Sequence, residues 1–142
     1  MASILAVDDE RNIRNFLVLA LDVDGHVVEE ASDALSALKQ LRERSFDLVL
    51  TDMRMPGALG GMDLLRSMKS DLPDVEVIVL TAYGTIEGAV EAVKLGAFDY
   101  LQKPLSSPAE LRLLASRALE HRRLKSMREV LSRESDSLPP LT

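Results

Sequence analysis

The sequence contains neither cysteine nor tryptophan, and aromatic residues make up only 4% of it. Without cysteine, disulfides and thiolate metal sites are excluded, which fits a reducing compartment. With so few aromatic rings, the hydrophobic core must be built from aliphatic side chains. Hydrophobic residues make up 46% of the 142 positions, enough for one core. We therefore expect a single aliphatic domain of ordinary size.

Long apolar runs are also lacking. No run approaches the roughly 18 residues that a membrane-spanning helix needs. The first ten residues, "MASILAVDDE", have no basic segment and become acidic at Asp8, so they do not resemble a signal peptide. We expect a cytoplasmic protein that does not contact a membrane.

Positive charge is scarce over most of the chain. The formal net charge is −6, which argues against nucleic-acid binding by the chain as a whole. Residues 1–106 hold ten basic and eighteen acidic residues, whereas residues 107–134 hold seven and four. The basic segment "HRRLK" (121–125) is interleaved with acids, and no helix-turn-helix pattern follows it. We interpret it as a solvated helix face and expect no direct DNA contact.

Short aliphatic segments alternate with segments of helical periodicity. The first kind predicts strands at residues 4–7, 26–31, 47–51, 75–81 and 98–102. The second kind predicts five helices, whose apolar positions are Ile13, Phe16, Leu17 and Ala20; Ala34, Leu35, Leu38 and Leu41; Leu64, Leu65 and Met68; Ile86, Ala89, Val90 and Val93; and Leu111, Leu114 and Ala118. Because no tight hairpin joins consecutive strands, this alternation predicts an α/β fold, a parallel sheet with helices on both faces.

Capping signals agree with these helices. Gly25 and Gly96 are candidate C-terminal caps. Ser32 and Thr85 are candidate N-caps, and "SPAE" (107–110) places Ser, Pro and Glu where a helix start favours them.

The fifth helical pattern is unusually long. It continues to about Leu131, and Leu124, Met127 and Leu131 have a spacing that could form a short coiled-coil seam. The following "SRESDSLPPLT" is typical of a flexible linker. We therefore predict a body over residues 1–120 and a helical extension with a linker over 121–142, cut from a longer protein.

Polar residues stand at the ends of the predicted strands. Asp8 and Asp9 follow the first strand, Asp52 follows the third, Thr81 ends the fourth and Lys103 follows the fifth. In a parallel α/β sheet, ligands bind beyond these carboxyl ends. Each residue alone has a structural explanation, such as an N-cap for Asp9 or a turn for Asp52.

Together, these residues favour a site. Three carboxylates at one sheet edge would repel each other, and a hard divalent cation such as Mg²⁺ would relieve that cost. A lysine and a hydroxyl nearby would meet phosphoryl oxygens. The pattern indicates a phosphoryl-transfer site with Asp52 as the nucleophile.

Four motifs carry a resemblance to a known family. They are "VDDE" (7–10), "DLVLTDMRMPG" (47–57), "LTAYG" (80–84) and "GAFDYLQKP" (96–104). In this order and spacing they resemble the receiver domain of two-component response regulators, over residues 3 to about 120. The resemblance implies a doubly wound, flavodoxin-like sheet of five strands in the order 2-1-3-4-5. It also implies a signalling switch, rather than a turnover enzyme, that takes a phosphoryl group from a sensor histidine kinase.

The resemblance assigns roles at the acidic end of the site. Asp52 matches the phosphoacceptor, whose carboxylate is also a ligand of Mg²⁺. Asp9 matches the main carboxylate ligand of Mg²⁺, Asp8 matches its neighbour, and the backbone carbonyl of Arg54 matches the third protein ligand.

Four further residues match positions that respond to phosphorylation or complete the site. Thr81 matches the hydroxyl that bonds a phosphoryl oxygen, and Lys103 matches the ammonium that pairs with another. Tyr100 matches the aromatic switch that turns inward with Thr81. Pro104 matches a position preceded by a cis peptide bond.

One segment departs from the family pattern. After "MPG" the family usually continues with an acidic residue and glycine, whereas here the sequence is "MPGALGGMDLL". The loop at 57–61 is one residue longer and lacks that acid, which puts its shape and the docking of a kinase in question.

The segment "TAYGTIEGAVEAVKLGAFDYLQKP" is especially similar to receivers of AAA+ enhancer-binding transcription activators. In that group an extended fifth helix leads to an ATPase domain. We therefore expect control of an AAA+ output domain. The seam of Leu124, Met127 and Leu131 either makes a dimer contact or covers the end of the receiver. Of these we favour a homodimer through the fourth helix, the fifth strand and the C-terminal helix.

Two other enzyme and cofactor-binding classes on similar folds fit the sequence less well. A haloacid-dehalogenase-like phosphatase needs a second carboxylate two residues after the nucleophile, where this chain has Arg54. A flavodoxin needs a phosphate loop after the first strand, where "DDER" would repel the phosphate. The main alternative is a receiver-like module that docks proteins without phosphorylation.

Overall fold

The computed structural model describes residues 2–55, 57, 59–81 and 86–137. Strands and helices alternate along the chain as β1 (Ser3–Val7), α1 (Arg11–Asp22), β2 (Val27–Ala31), α2 (Ala34–Glu43), β3 (Leu48–Asp52), α3 (Gly61–Asp71), β4 (Glu76–Thr81), α4 (Ile86–Lys94), β5 (Asp99–Gln102) and α5 (Pro108–Ser137). The five strands are all parallel and lie in the order β2-β1-β3-β4-β5. The predicted fold is therefore confirmed.

The central strands are buried on both faces because their sequences are aliphatic without interruption. One face of the sheet packs with α2 and α3 in a cluster that includes Leu5, Val49 and Val77. The other face packs with α1 and α5 in a cluster that includes Ile4 and Leu50. The core thus forms two layers, and the strands between them are held in a fixed register.

Most predicted helix ends agree with the structure. Gly96 follows α4 with a φ of +113°, a region that favours glycine. The C-cap of α1 is Val23 rather than Gly25, which comes two residues later with a φ of +78°. Ser107 Oγ accepts a hydrogen bond from the Glu110 N–H at 3.1 Å, as an N-cap does. Thr85 lies outside the described residues.

The N-cap of α2 was predicted one residue too early. The cap is Asp33 rather than Ser32, and its Oδ1 accepts a hydrogen bond from the Ser36 N–H at 2.7 Å. The helix begins at Ala34, so only the side chain of Asp33 stands at the right distance from that N–H.

The helices predicted from apolar spacing are present, but three of the apolar residues that mark them lie in solvent. Leu35, Val90 and Val93 are 64%, 45% and 42% exposed. In α4 the sheet is met by Ala89 and Ala92, which are fully buried. Small side chains let the helix approach closely, so its larger apolar residues point elsewhere.

Helix α5 is longer than predicted. It extends through Ser137, so residues 132–137 are helical where the sequence predicted a flexible segment. Leu124, Met127 and Leu131 are 44%, 48% and 61% exposed on this extension. Among the described residues, no helix is both long and apolar enough to cross a membrane.

Candidate functional site at the carboxyl edge of the sheet

The predicted site residues meet at one edge because their strands are parallel and in register. Val7 is aligned with Thr51, so Asp8 and Asp52 follow at the same level of neighbouring strands. Asp52 is in turn aligned with Leu80, next to Thr81. The carboxyl ends of β1, β3 and β4 therefore converge.

Lys103 joins the two strand-end carboxylates. Its Nζ lies 2.8 Å from Asp8 Oδ2 and 3.3 Å from Asp52 Oδ2. The Lys103 N–H donates to the Thr81 carbonyl at 2.7 Å, which positions the lysine backbone, and the peptide bond from Lys103 to Pro104 is cis. The predicted cis bond is thus confirmed. These contacts hold the ammonium between the acids.

Asp8 is the most deeply buried acid of the group, with a side chain that is 0% exposed. Its Oδ1 accepts a hydrogen bond from the Glu10 N–H at 2.9 Å. Its buried Oδ2 accepts no aligned hydrogen bond from the described residues, so the nearby ammonium of Lys103 offsets its charge. A single ammonium shared between two carboxylates leaves the group suited to a further cation.

Ionisation of Asp52 is disfavoured in this setting. Burial raises the pKa of Asp52 above its usual range and the charge of Asp8 raises it further, although Lys103 and the Arg54 N–H pull it down. Burial lowers the pKa of Lys103, but its close contact with the Asp8 carboxylate and the charge of Asp52 outweigh that effect and raise it. Lys103 is therefore a fixed positive charge, and the site still carries excess negative charge.

The acidic cluster has the chemistry of a hard-cation site. Asp8, Asp9 and Glu10 each offer a carboxylate oxygen, and the three oxygens lie within 4.8 Å of one another. Glu10 is the N-cap residue of α1, so Asp9 is not needed as the cap. These acids and Asp52 face one positive charge, that of Lys103. Clustered carboxylate oxygens with excess negative charge suit Mg²⁺.

Glu10 was not among the ligands expected from the sequence. The signal for it was present, because it is the third consecutive acid of "VDDE". The carbonyl of Arg54 was expected to be a ligand. Arg54 lies two residues after Asp52, and its backbone N–H lies 3.5 Å from Asp52 Oδ1.

Thr81 and Tyr100 occupy different environments. Thr81 is 2% exposed at the end of β4, whereas Tyr100 is 37% exposed on β5. The register pairs Tyr100 with Val79, two residues before Thr81. The two residues expected to move together are therefore on adjacent strands, with the tyrosine partly in solvent.

Helix α3 closes against the segment that carries the phosphoacceptor candidate. The Met53 N–H donates to the Leu80 carbonyl at 3.1 Å, and the Met53 carbonyl accepts from the Gly61 N–H at 3.2 Å. A Cβ atom at Gly61 would collide with the Asp52 carbonyl. Asp63 Oδ2 accepts from the Gly60 N–H at 3.0 Å, so an acid does stand at this helix start.

Comparison with known proteins agrees with this geometry. The family model described as "Response regulator receiver domain" matches residues 4–115. The transcriptional regulatory protein ZraR of Klebsiella oxytoca is 43% identical over 121 residues, covering 85% of this chain and 27% of ZraR. The alginate biosynthesis transcriptional regulatory protein AlgB of Pseudomonas aeruginosa is 38% identical over 139 residues, covering 95% and 30%. The chain thus spans less than a third of either relative.

Solved structures show the same likeness. NtrX from Brucella abortus in complex with ATP has a TM-score of 0.87 and 39% identity, covering 92% of this chain and 29% of that one. The isolated receiver domain of NtrX from Brucella abortus has a TM-score of 0.79 and 40% identity, covering 82% and 98%.

Proposed function

Because the chain belongs to the response regulator receiver domain family, we propose that it accepts a phosphoryl group on Asp52 from a sensor histidine kinase, with Mg²⁺ bound at the adjacent acids. Receiver domains receive phosphoryl groups from histidine kinases and generally use Mg²⁺ at an acidic site. The observation that supports the proposal most directly is the position of Lys103, whose Nζ lies within 3.3 Å of both Asp8 and Asp52.

In the proposed reaction an ionised Asp52 oxygen attacks the phosphorus of the phosphohistidine. The phosphorus–nitrogen bond breaks, its electron pair returns to the imidazole, and an acyl phosphate forms on Asp52. Lys103 is already placed between two carboxylates, so it can pair with a phosphoryl oxygen as the Asp52 charge is consumed. Thr81, at the end of the neighbouring strand, supplies a hydroxyl to a second oxygen.

Asp8, Asp9, Asp52 and the Arg54 carbonyl would hold the Mg²⁺. When bound, the ion neutralises charge between the carboxylates and the incoming phosphoryl group. The residues fit it because the buried Asp8 Oδ2 lacks an aligned donor among the described residues and the cluster has excess negative charge. The same neutralisation favours the ionised, nucleophilic form of Asp52.

Phosphorylation would be transmitted through Thr81 and Tyr100 to a surface that controls assembly. Val90, Val93 and Tyr100 leave α4 and β5 with exposed apolar side chains. We propose that a second copy of the chain covers this face. It would be joined there by the seam of Leu124, Met127 and Leu131.

We further propose that the regulated output is a AAA+ transcription activator domain. Two observations support this. Helix α5 continues 30 residues from Pro108, well beyond the sheet. The relatives ZraR and AlgB, both transcriptional regulatory proteins by name, are more than three times the matched length.

The test is the intact mass of the chain after incubation with Mg²⁺ and acetyl phosphate. We expect a gain of about 80 Da that requires Mg²⁺ and is lost in Asp52→Ala. A folded chain that gains no mass under any condition would contradict the proposal and favour a docking module that works without phosphorylation.

A further inference from the structure

A second charged cluster lies at the opposite end of the sheet from the phosphorylation site. Glu76 is the first residue of β4, and Asp47 immediately precedes β3. Asp52 and Thr81 end the same two strands, roughly 15–20 Å away at about 3.3 Å per residue. Strands β3 and β4 therefore each have one end at the proposed phosphorylation site and the other end at this second cluster.

Glu76 is a buried carboxylate whose partners come from the root of the α5 extension. Its side chain is 3% exposed. His121 Nδ1 lies 3.1 Å from Glu76 Oε1, and Lys125 Nζ lies 3.4 Å from the same oxygen. Because a buried charge is costly without a partner, these contacts are tied to the position of α5.

Additional contacts fasten the same helical turns to the body. Lys125 Nζ also donates to the Pro73 carbonyl at 3.0 Å. The His121 ring lies 5.4 Å, centroid to centroid, from that of Phe98. Arg122 lies 3.2 Å from Asp47 Oδ1, and Asp47 Oδ2 accepts from the Ser3 N–H at 2.9 Å.

We propose that Asp47, Glu76, His121, Arg122 and Lys125 form a basal latch, which fixes the direction and the rotation of α5 where it leaves the receiver body. Glu76 is the positioning residue of the latch, because the strand holds it rigidly and two helical residues converge on it.

The latch also determines which face of α5 is free. His121, Arg122 and Lys125 face the sheet, and Leu124, Met127 and Leu131 lie on an exposed face. At 3.6 residues per turn, the two sets are separated by roughly a third of a turn. Rotation of α5 about its axis would break the latch, so the latch keeps the apolar stripe turned outward.

The latch can be tested without phosphorylation, so failure of the proposed function would leave this test unaffected. The chain has no cysteine, so nitroxide labels can be attached to Ser70→Cys in α3 and Arg128→Cys in α5, both exposed. Electron-electron double resonance then gives the distance between α5 and the body. Dilution with unlabelled chain keeps the measured distances within one molecule.

Removing a latch contact should loosen α5. In Lys125→Met and in Glu76→Gln we expect a broader label distance distribution and faster amide hydrogen exchange over residues 121–131. Phosphoryl uptake by these variants should stay intact. Lys125→Arg should keep the parent distribution, because it retains the cation.

The matched controls are Arg123→Met and Glu120→Gln. These residues pair within α5, with Arg123 Nη2 lying 2.6 Å from Glu120 Oε1, and do not bridge to the sheet through that contact. We expect both controls to keep the parent distribution. Unchanged distributions in the latch variants, or equal broadening in the controls, would overturn the proposal. If Glu76→Gln fails to fold, Lys125→Met decides the question alone.

Discussion

At the scale of single residues, the site is organised around a carboxylate that is costly to ionise. Asp52 is 6% exposed and faces the charge of Asp8, and both effects raise its pKa. Lys103 offsets part of this cost. A nucleophile held in this way gains from any process that places positive charge beside it, which is the role proposed for Mg²⁺.

This cost predicts that Asp52→Asn abolishes phosphorylation but stabilises the metal-free fold at neutral pH. Because the folded-state pKa of Asp52 is raised, the native protein loses stability as pH rises from the ordinary pKa of 3.8 through the raised value. Because asparagine does not ionise, Asp52→Asn does not lose stability in this way. Its Tm should exceed that of the parent at pH 7, by a few degrees for each ~1 kcal/mol.

The advantage of Asp52→Asn should shrink on acidification below pH 3.8, where the parent carboxyl is protonated in both states. Urea denaturation of the variant and the parent without metal, at pH 7 and below pH 3.8, measures this difference in stability. A variant less stable than the parent at pH 7 would contradict the raised pKa.

Lys103 provides a second prediction at this scale. Lys103→Met leaves Asp8 and Asp52 without their cation, so the metal-free protein should lose about 1–3 kcal/mol of stability. Mg²⁺ should restore more stability to this variant than to the parent, because a competing positive charge has been removed. Urea unfolding with and without Mg²⁺ tests this, and an equal gain in the two proteins would refute the shared site.

At the scale of elements, the approach of α3 to the end of β3 depends on one glycine. A Cβ atom at Gly61 would strike the Asp52 carbonyl, whereas a Cβ atom at Gly60 would lie 3.5 Å from the Met53 carbonyl oxygen, an ordinary contact. Gly61→Ala must therefore shift the helix or the phosphoacceptor segment.

Gly61→Ala should cost about 1–3 kcal/mol, the usual range for overpacking, and slow phosphorylation by acetyl phosphate. Gly60→Ala is the matched control and should stay close to the parent in both respects. Denaturation curves and phosphorylation time courses measure the two effects. Equal behaviour of the two alanine variants would disprove the close approach.

Much of the element order could be predicted from the sequence, because strands buried on both faces are continuous aliphatic runs and helices have a different period. Convergence of Asp52 and Lys103 followed from their places at the ends of parallel strands. The exposure of Leu35, Val90 and Val93 could not be predicted, since periodicity marks an apolar residue but not the element that covers it.

Contacts between segments that are distant in sequence also could not be predicted from the sequence pattern. Lys103 was expected to meet phosphoryl oxygens, and the structure pairs it with Asp8 and Asp52. His121 meets Glu76 across 45 positions, and nothing local to either residue marks the other. Such pairings depend on tertiary packing of α5 over the sheet.

At the scale of the whole molecule, the proposed metal site predicts that metal binding stabilises the fold. Mg²⁺ that binds only the folded chain should stabilise it by about 1–3 kcal/mol at saturating concentration. Asp9→Asn should reduce this gain, because it removes one proposed ligand. Thermal melting across a Mg²⁺ titration measures the effect, and melting that ignores Mg²⁺ in the parent would argue against a metal site.

The exposed apolar residues of the α5 extension predict that the chain forms a homodimer. Replacing Leu124 by Ser should weaken a homodimer, since this leucine is 44% exposed in the proposed seam. Leu113→Ser is the matched control, because Leu113 is 54% exposed on the same helix but lies before the extension. Sedimentation of the phosphorylated and unphosphorylated forms measures how far the parent and the two variants dimerise. A monomeric parent in both states, or equal loss in the control, would exclude this seam.

The central claim is that Asp52, among several neighbouring acids, receives the phosphoryl group. After phosphorylation with Mg²⁺, borohydride reduces an acyl phosphate to an alcohol, and peptide mass spectrometry then identifies the converted residue. The account predicts homoserine at position 52 alone. Conversion at Asp8 or Asp9, or unchanged Asp52 in a chain that has gained a phosphoryl group, would contradict it.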